Sequence, residues 1–125
     1  MKEFSREWKS SKKPRKQRNY RRNSPLHIKQ KFMHSHISKE LRKKFGKRNI
    51  SLRKGDKVKV MRGKFRKHEG KVEKIDLRKL RVFVAGVEMT KKDGTKKLLA
   101  LNPSNLIILD INTDDKFRQK LLERK

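Results

Sequence analysis

Apolar residues alternate with polar ones over much of the chain's second half. Lys57-Val58-Lys59-Val60 has period two, which predicts a half-buried strand. Lys71 to Leu77 is a second strand; its alternation slips between Val72 and Ile75, as a bulged or sharply bent strand requires. Arg81 to Val87 is a third, dense in β-formers. Asp93-Gly94 reads as a hairpin turn. Leu98–Leu101 and Leu106–Ile111 make two more strands, separated by the turn Asn102-Pro103-Ser104-Asn105. Five short strands in residues 51–111, joined by tight turns, predict a mostly β fold built on a small five-stranded barrel.

The spacing changes on either side of this block. In residues 24–50, Ser24-Pro25 reads as a helix start, and Ile28 and Phe32 follow at i and i+4. Ser38 starts a second short helix, with Glu40 near its positive end, Leu41 and Phe45 as its apolar stripe and Gly46 as its C-cap. Residues 112–125 predict a short terminal helix after Asp114-Asp115, with Phe117 and Leu121 as its apolar stripe. Residues 1–23 form a basic tail. From Ser10 to Asn23 it holds no acid, and Tyr20 is its one large apolar group. Such a segment buries too little surface to offset its ordering entropy, so it is expected to be disordered when free.

Composition turns this outline toward a partner. Of 125 residues, 40 are Lys or Arg and 13 are Asp or Glu, a formal net charge of +27. Residues 1–50 carry 18 of the cations and three of the acids. Charge of one sign repels itself in a compact chain, and a polyanion is the natural counterweight, nucleic acid before anionic membrane. There is no cysteine, which excludes disulfides and thiolate metal sites. No apolar run follows Met1, and the aliphatic runs are far below the ~20 residues that span a bilayer. The expectation is a soluble intracellular protein that binds no membrane.

Catalytic chemistry finds little support. The histidines are His27, His34, His36 and His68. His34-x-His36 invites a metal reading, but on a helix residues two apart face different ways. No serine has triad context, and no glycine-rich nucleotide loop exists. The expectation is no enzyme, no catalytic residue, no metal, no cofactor and no small-molecule substrate.

Binding chemistry is better supported. Between the first two strands of the block stands Arg62-Gly63-Lys64-Phe65-Arg66-Lys67-His68-Glu69-Gly70-Lys71. Gly63 and Gly70 admit close backbone approach or positive φ. Phe65 offers a flat face that stacks on an unpaired base or seals the end of a barrel. Arg66, Lys67 and Lys71 pair with phosphates, Arg bidentately. Further candidate contacts are Arg15, Lys16, Arg18, Arg21 and Arg22 in the tail, Lys29, Lys31, Arg42, Lys43 and Lys44 on the helices, and Arg62 and Lys64 in the loop. Tyr20 and Trp8 are candidates to stack on bases or to pack.

Lys54-Gly55-Asp56, then Val58, Val60 and Gly70-Lys71-Val72, resemble the KOW motif, in which two strands and their loop centre on one glycine, here Gly70. With Pro25-Leu26-His27, the run Ser38 to Gly46, Arg53 to Asp56 and Asn102 to Asn105, residues 24–111 resemble the archaeal and eukaryotic family of large-subunit ribosomal protein twenty-four, twenty-six in eukaryotic naming. The resemblance implies an SH3-like barrel that binds large-subunit ribosomal RNA near the exit of the peptide tunnel, with a role early in subunit assembly. It also implies neighbouring ribosomal proteins as partners. No homo-oligomer is expected. Relatives often carry an acid at the position of Lys64 and a glycine at that of Lys67. KOW barrels also occur in transcription elongation factors, which supplies the alternative function, although residues 1–50 are too short and too basic for the α/β domain that precedes those barrels.

Overall fold

The computed structural model describes residues 4–5 and 11–124. Eight strands and four α-helices follow one another among these residues. A six-stranded mixed sheet contains most of the strands. Its order is β2 (Asn49–Ser51), β1 (His34–Ile37), β8 (Leu106–Asp110), β3 (Lys57–Val60), β4 (Glu69–Asp76) and β5 (Arg81–Val84). A separate hairpin pairs β6 (Glu88–Thr90) with β7 (Lys96–Leu98). The protein is therefore a small β-rich domain, as the alternation predicts.

Four of the five expected strands are present, some with redrawn bounds. The slip in β4 is a register shift between Val72 and Lys74 against β5. The third expected strand stops at Val84 because Ala85-Gly86 turns the chain, with Gly86 at φ +77°. Asp93-Gly94 turns the β6–β7 hairpin; Asp93 Oδ1 accepts from the Thr95 amide at 3.0 Å. Leu98–Leu101 is not one strand. It splits into the end of β7 and a lone bridge, in which Leu101 and Val82 exchange both backbone hydrogen bonds.

Residues 24–50 hold more than helices. Helices α2 (Leu26–Phe32) and α3 (Lys39–Phe45) match the two expected ones. Ser38 caps α3 by accepting from Leu41 N, and Gly46 closes it at φ +65°. Between and after them, however, β1 and β2 join the sheet. Ser35 is the reason that β1 is extended. It is buried, and its hydroxyl donates to the Pro103 carbonyl (2.5 Å), while β1 pairs with β8 on one side and β2 on the other. Ser24 is not the cap of α2. Its hydroxyl donates to the Arg21 carbonyl at the end of a further helix, α1 (Pro14–Asn23), which lies in the basic tail.

The core is aliphatic: Ile37, Val58, Val60, Val72, Val82, Val84, Val87, Leu106 and Ile108 are all but inaccessible to solvent. Helix α4 (Lys116–Glu123) closes one end, but on a different face from the expected one. Phe117 and Leu121 stay 82% and 48% exposed, and Arg118 and Leu122 point inward instead.

Candidate nucleic-acid interface

The β3–β4 loop is held tightly by its backbone. Lys67 N donates to Val60 O (2.8 Å), and Val60 N donates to His68 O (2.9 Å). This closure puts Lys67 at φ +74°, in the left-handed region that glycine occupies without strain. Gly63 sits at φ +89° with open space around it. Phe65 is half-buried against the core, so its ring anchors the loop from within. Arg62, Lys64, Arg66, Lys67 and Lys71 are exposed, and none of them forms an ion pair among the described residues.

Gly70 serves a different purpose from Gly63. A Cβ on Gly70 would stand 2.6 Å from the Ala85 carbonyl oxygen and 2.9 Å from Val84 Cγ1. The glycine lets β4 pass under the end of β5. His68 grips the same turn, its Nε2 lying 2.9 Å from the Ala85 oxygen.

The strand lysines beside the loop share one carboxylate. Glu69 pairs with Lys59 Nζ at 3.0 Å and Lys57 Nζ at 3.7 Å. The Lys59 hydrogen bond holds the Glu69 carboxyl below its ordinary range, with the charges of both lysines adding to the effect. The loop cations have no such partner among the described residues.

The candidates on helices divide into free and occupied groups. On α1, Arg15, Lys16, Arg18, Arg21 and Arg22 are exposed, and α1 buries no residue. Tyr20 is half-buried; its ring packs on Phe4 (4.8 Å between centroids) and edge-on against Phe32 (6.1 Å). It therefore packs within the protein. Trp8 lies outside the described residues. On α2, Lys31 is exposed, while Lys29 Nζ reaches the Arg78 carbonyl at 3.4 Å. On α3, Lys43 is exposed, Lys44 lies over the Phe45 ring, and Arg42 Nε donates to Ile37 O, which ties α3 to β1.

One expectation about histidine needs revising. His34 and His36 stand on a strand, so residues two apart share a face, and both are exposed on it. Even so, no group of three or more His, Cys, Asp or Glu suited to a metal ion occurs among the described residues. No described helix is long and apolar enough to cross a membrane.

Sequence reasoning missed Arg78, Lys79 and Arg81. These cations stand at the β4–β5 turn, across a groove from Arg18, Arg21 and Arg22 of α1. The signal was visible as three cations within four residues at a strand–strand turn.

Comparison with known proteins agrees with this cationic, β-rich picture. Residues 11–125 match the family of the eukaryotic ribosomal proteins L26 and their archaeal counterparts. The large ribosomal subunit protein uL24 of Methanothrix thermoacetophila is 46% identical over 114 residues, covering 91% of this chain and 98% of its own length. That of Methanosphaera stadtmanae is 44% identical over 115 residues, covering 92% and 98%.

Proposed function

Because this chain belongs to the L26 family of eukaryotic and archaeal ribosomal proteins, we propose that its unpaired cations are the RNA-facing surface of a structural component of the large ribosomal subunit. Its work there is binding, not catalysis. Its partners are ribosomal RNA and neighbouring ribosomal proteins, and its place is the cytoplasmic ribosome. The observation that carries this reading is the charge of +27 on a chain whose family is ribosomal. The transcription-factor alternative loses its basis, since the family match extends through the N-terminal region that distinguishes the two.

The finer parts of the reading follow from the same premises. The scaffold is an SH3-like barrel. In support, β8, β3, β4 and β5 are consecutive neighbours, the Val82–Leu101 bridge curls the far edge back, and a 3₁₀ turn at Pro103–Asn105 precedes the last strand. Residues 51–111 form this barrel, residues 24–50 an RNA-binding extension and residues 112–125 a helical tail. Residues 1–23 order on RNA: α1 buries no side chain and holds no acid, so phosphate is its missing counter-charge. RNA contacts run through Arg15, Lys16, Arg18, Arg21 and Arg22, through Lys31, Lys43 and Lys44, and through the β3–β4 loop. Most of these are contacts to phosphate, which position without reading sequence. The site near the peptide tunnel exit and the early assembly role belong to this reading through the resemblance. The protein acts as a single copy, with no small-molecule substrate.

Sedimentation of tagged chain through a sucrose gradient tests the proposal. It should travel with large subunits and leave them in high salt. Sedimentation with RNA polymerase and not with large subunits would overturn it.

A further inference from the structure

We propose that the groove between α1, the β4–β5 turn and the 3₁₀ turn is a two-walled clamp for the sugar–phosphate backbone of an RNA strand. The proposal rests on the RNA-binding reading above and adds a site to it.

One wall is Arg18, Arg21 and Arg22; the other is Arg78, Lys79 and Arg81. Among the described residues no acid lines the groove, whose volume is about 390 Å³. The nearby carboxylate of Asp76 is committed to the turn itself, accepting from Lys79 N at 3.0 Å. Two facing walls of one sign repel each other, and within a Debye length of ~8 Å at physiological salt that repulsion is only partly screened. Only an anion between them converts the arrangement into attraction. The polar remainder of the lining, Asn102 and Ser104, offers no negative charge.

Local contacts shape each wall. Lys29 Nζ ties α2 to the turn through the Arg78 carbonyl, and Ser24 caps the C-terminal end of α1 at the Arg21 carbonyl. The Arg21 guanidinium lies 5.9 Å from the centre of the Phe32 ring, which limits where it can swing. Leu80 adopts φ +55° and packs half-buried against the core. A side-chain-bearing residue in that conformation is strained, and such strain persists where the surroundings demand it. Here it sets the turn that carries Arg78, Lys79 and Arg81.

The test compares full-length variants on deproteinised large-subunit ribosomal RNA across a KCl series. A groove variant carries Arg78→Gln, Lys79→Gln and Arg81→Gln. A control of equal charge carries Lys91→Gln, Lys92→Gln and Lys97→Gln, exposed positions on the β6–β7 hairpin. The groove variant should lose roughly tenfold in affinity, with its salt slope shallower by about 0.7 for each phosphate no longer neutralised. The control should lose much less. Equal losses in the two variants, or none in the groove variant, would overturn the clamp while leaving RNA binding intact. Failure of the unaltered chain to bind would overturn both. A third variant, Arg18→Gln, Arg21→Gln and Arg22→Gln, should match the groove variant. Combining the two walls should cost less than the product of their separate effects, because both hold the same phosphates. Strict multiplication would mean two separate contacts and no clamp.

Discussion

Arg118 and Asp56 form a bidentate ion pair in the interior, with side chains 3% and 0% exposed. Arg118 Nη1 donates to Asp56 Oδ1 (2.5 Å) and Nη2 to Oδ2 (2.7 Å). The carboxylate also accepts from the amides of Arg53 (2.8 Å) and Asn112 (3.0 Å), and the guanidinium donates to the carbonyls of Asn112 and Ser51. One pair therefore ties α4 to the start of β3, the end of β2 and the segment after β8.

Removing either partner leaves the other charge buried and uncompensated, at a cost of about 3–5 kcal/mol. Arg118→Ala and Asp56→Ala should each lower the urea midpoint sharply. The double substitution should cost far less than the two single losses together. Additive losses in that cycle would mean that the pair is not coupled.

Gly70 and Ala85 yield a second prediction. A side chain at position 70 meets the Ala85 carbonyl oxygen at 2.6 Å, and backbone cannot swing aside as a flexible side chain does. Gly70→Val should destabilise by about 1–3 kcal/mol or more, in the range of overpacked sites. RNA binding should weaken at unchanged net charge, as measured by filter binding beside urea unfolding. A variant as stable and as tightly bound as the original would show that β4 does not need to pass so close.

Lys67 carries a left-handed backbone, at φ +74°, a conformation that glycine adopts without strain. Lys67→Gly and Lys67→Ala remove the same charge and differ in that conformational cost. The glycine variant should be the more stable by about 1 kcal/mol, read from urea midpoints. Equal stability would place the strain elsewhere.

Salt should weaken RNA binding steeply. With ~8 phosphates neutralised, the slope of log K against log salt should be about −6. Affinity that stays flat from low to moderate salt would remove phosphate as the main contact.

Acid should act on Glu69. Its carboxyl lies below the ordinary glutamate value of 4.5 because Lys59 hydrogen-bonds to its charged form, with Lys57 adding charge. A carboxyl lowered on folding stabilises the protein above its unfolded pKa and loses that contribution as pH falls through the folded one. Glu69→Gln should therefore lower stability modestly near neutrality and flatten its fall below pH 4.5. An unchanged acid limb would remove Glu69 from the account.

Local chemistry was legible in the chain. The Ser38 cap, Gly46 at left-handed φ and the Asp93-Gly94 turn each depend on hydrogen bonds or dihedral preferences within a few residues, and the bulge in β4 showed as a slip in its alternation. The charge excess, and with it the class of partner, needed only counting. Candidate cations were legible as residue types, but not their occupancy. Arg42 and Lys29 make backbone contacts, whereas the loop cations stand free among the described residues.

Contacts between distant segments decided the rest. Residues 34–37 are a strand because Ser35 finds Pro103, 68 positions away, and because β8 and β2 lie on either side. Helix α4 turned Phe117 outward because Asp56, 62 positions earlier, demands a cation, and a buried unpaired carboxylate costs more than an exposed phenyl ring. Spacing along a helix reveals which residues share a face. Which face is buried depends on what the rest of the fold presents to it, and here the fold presented a charge.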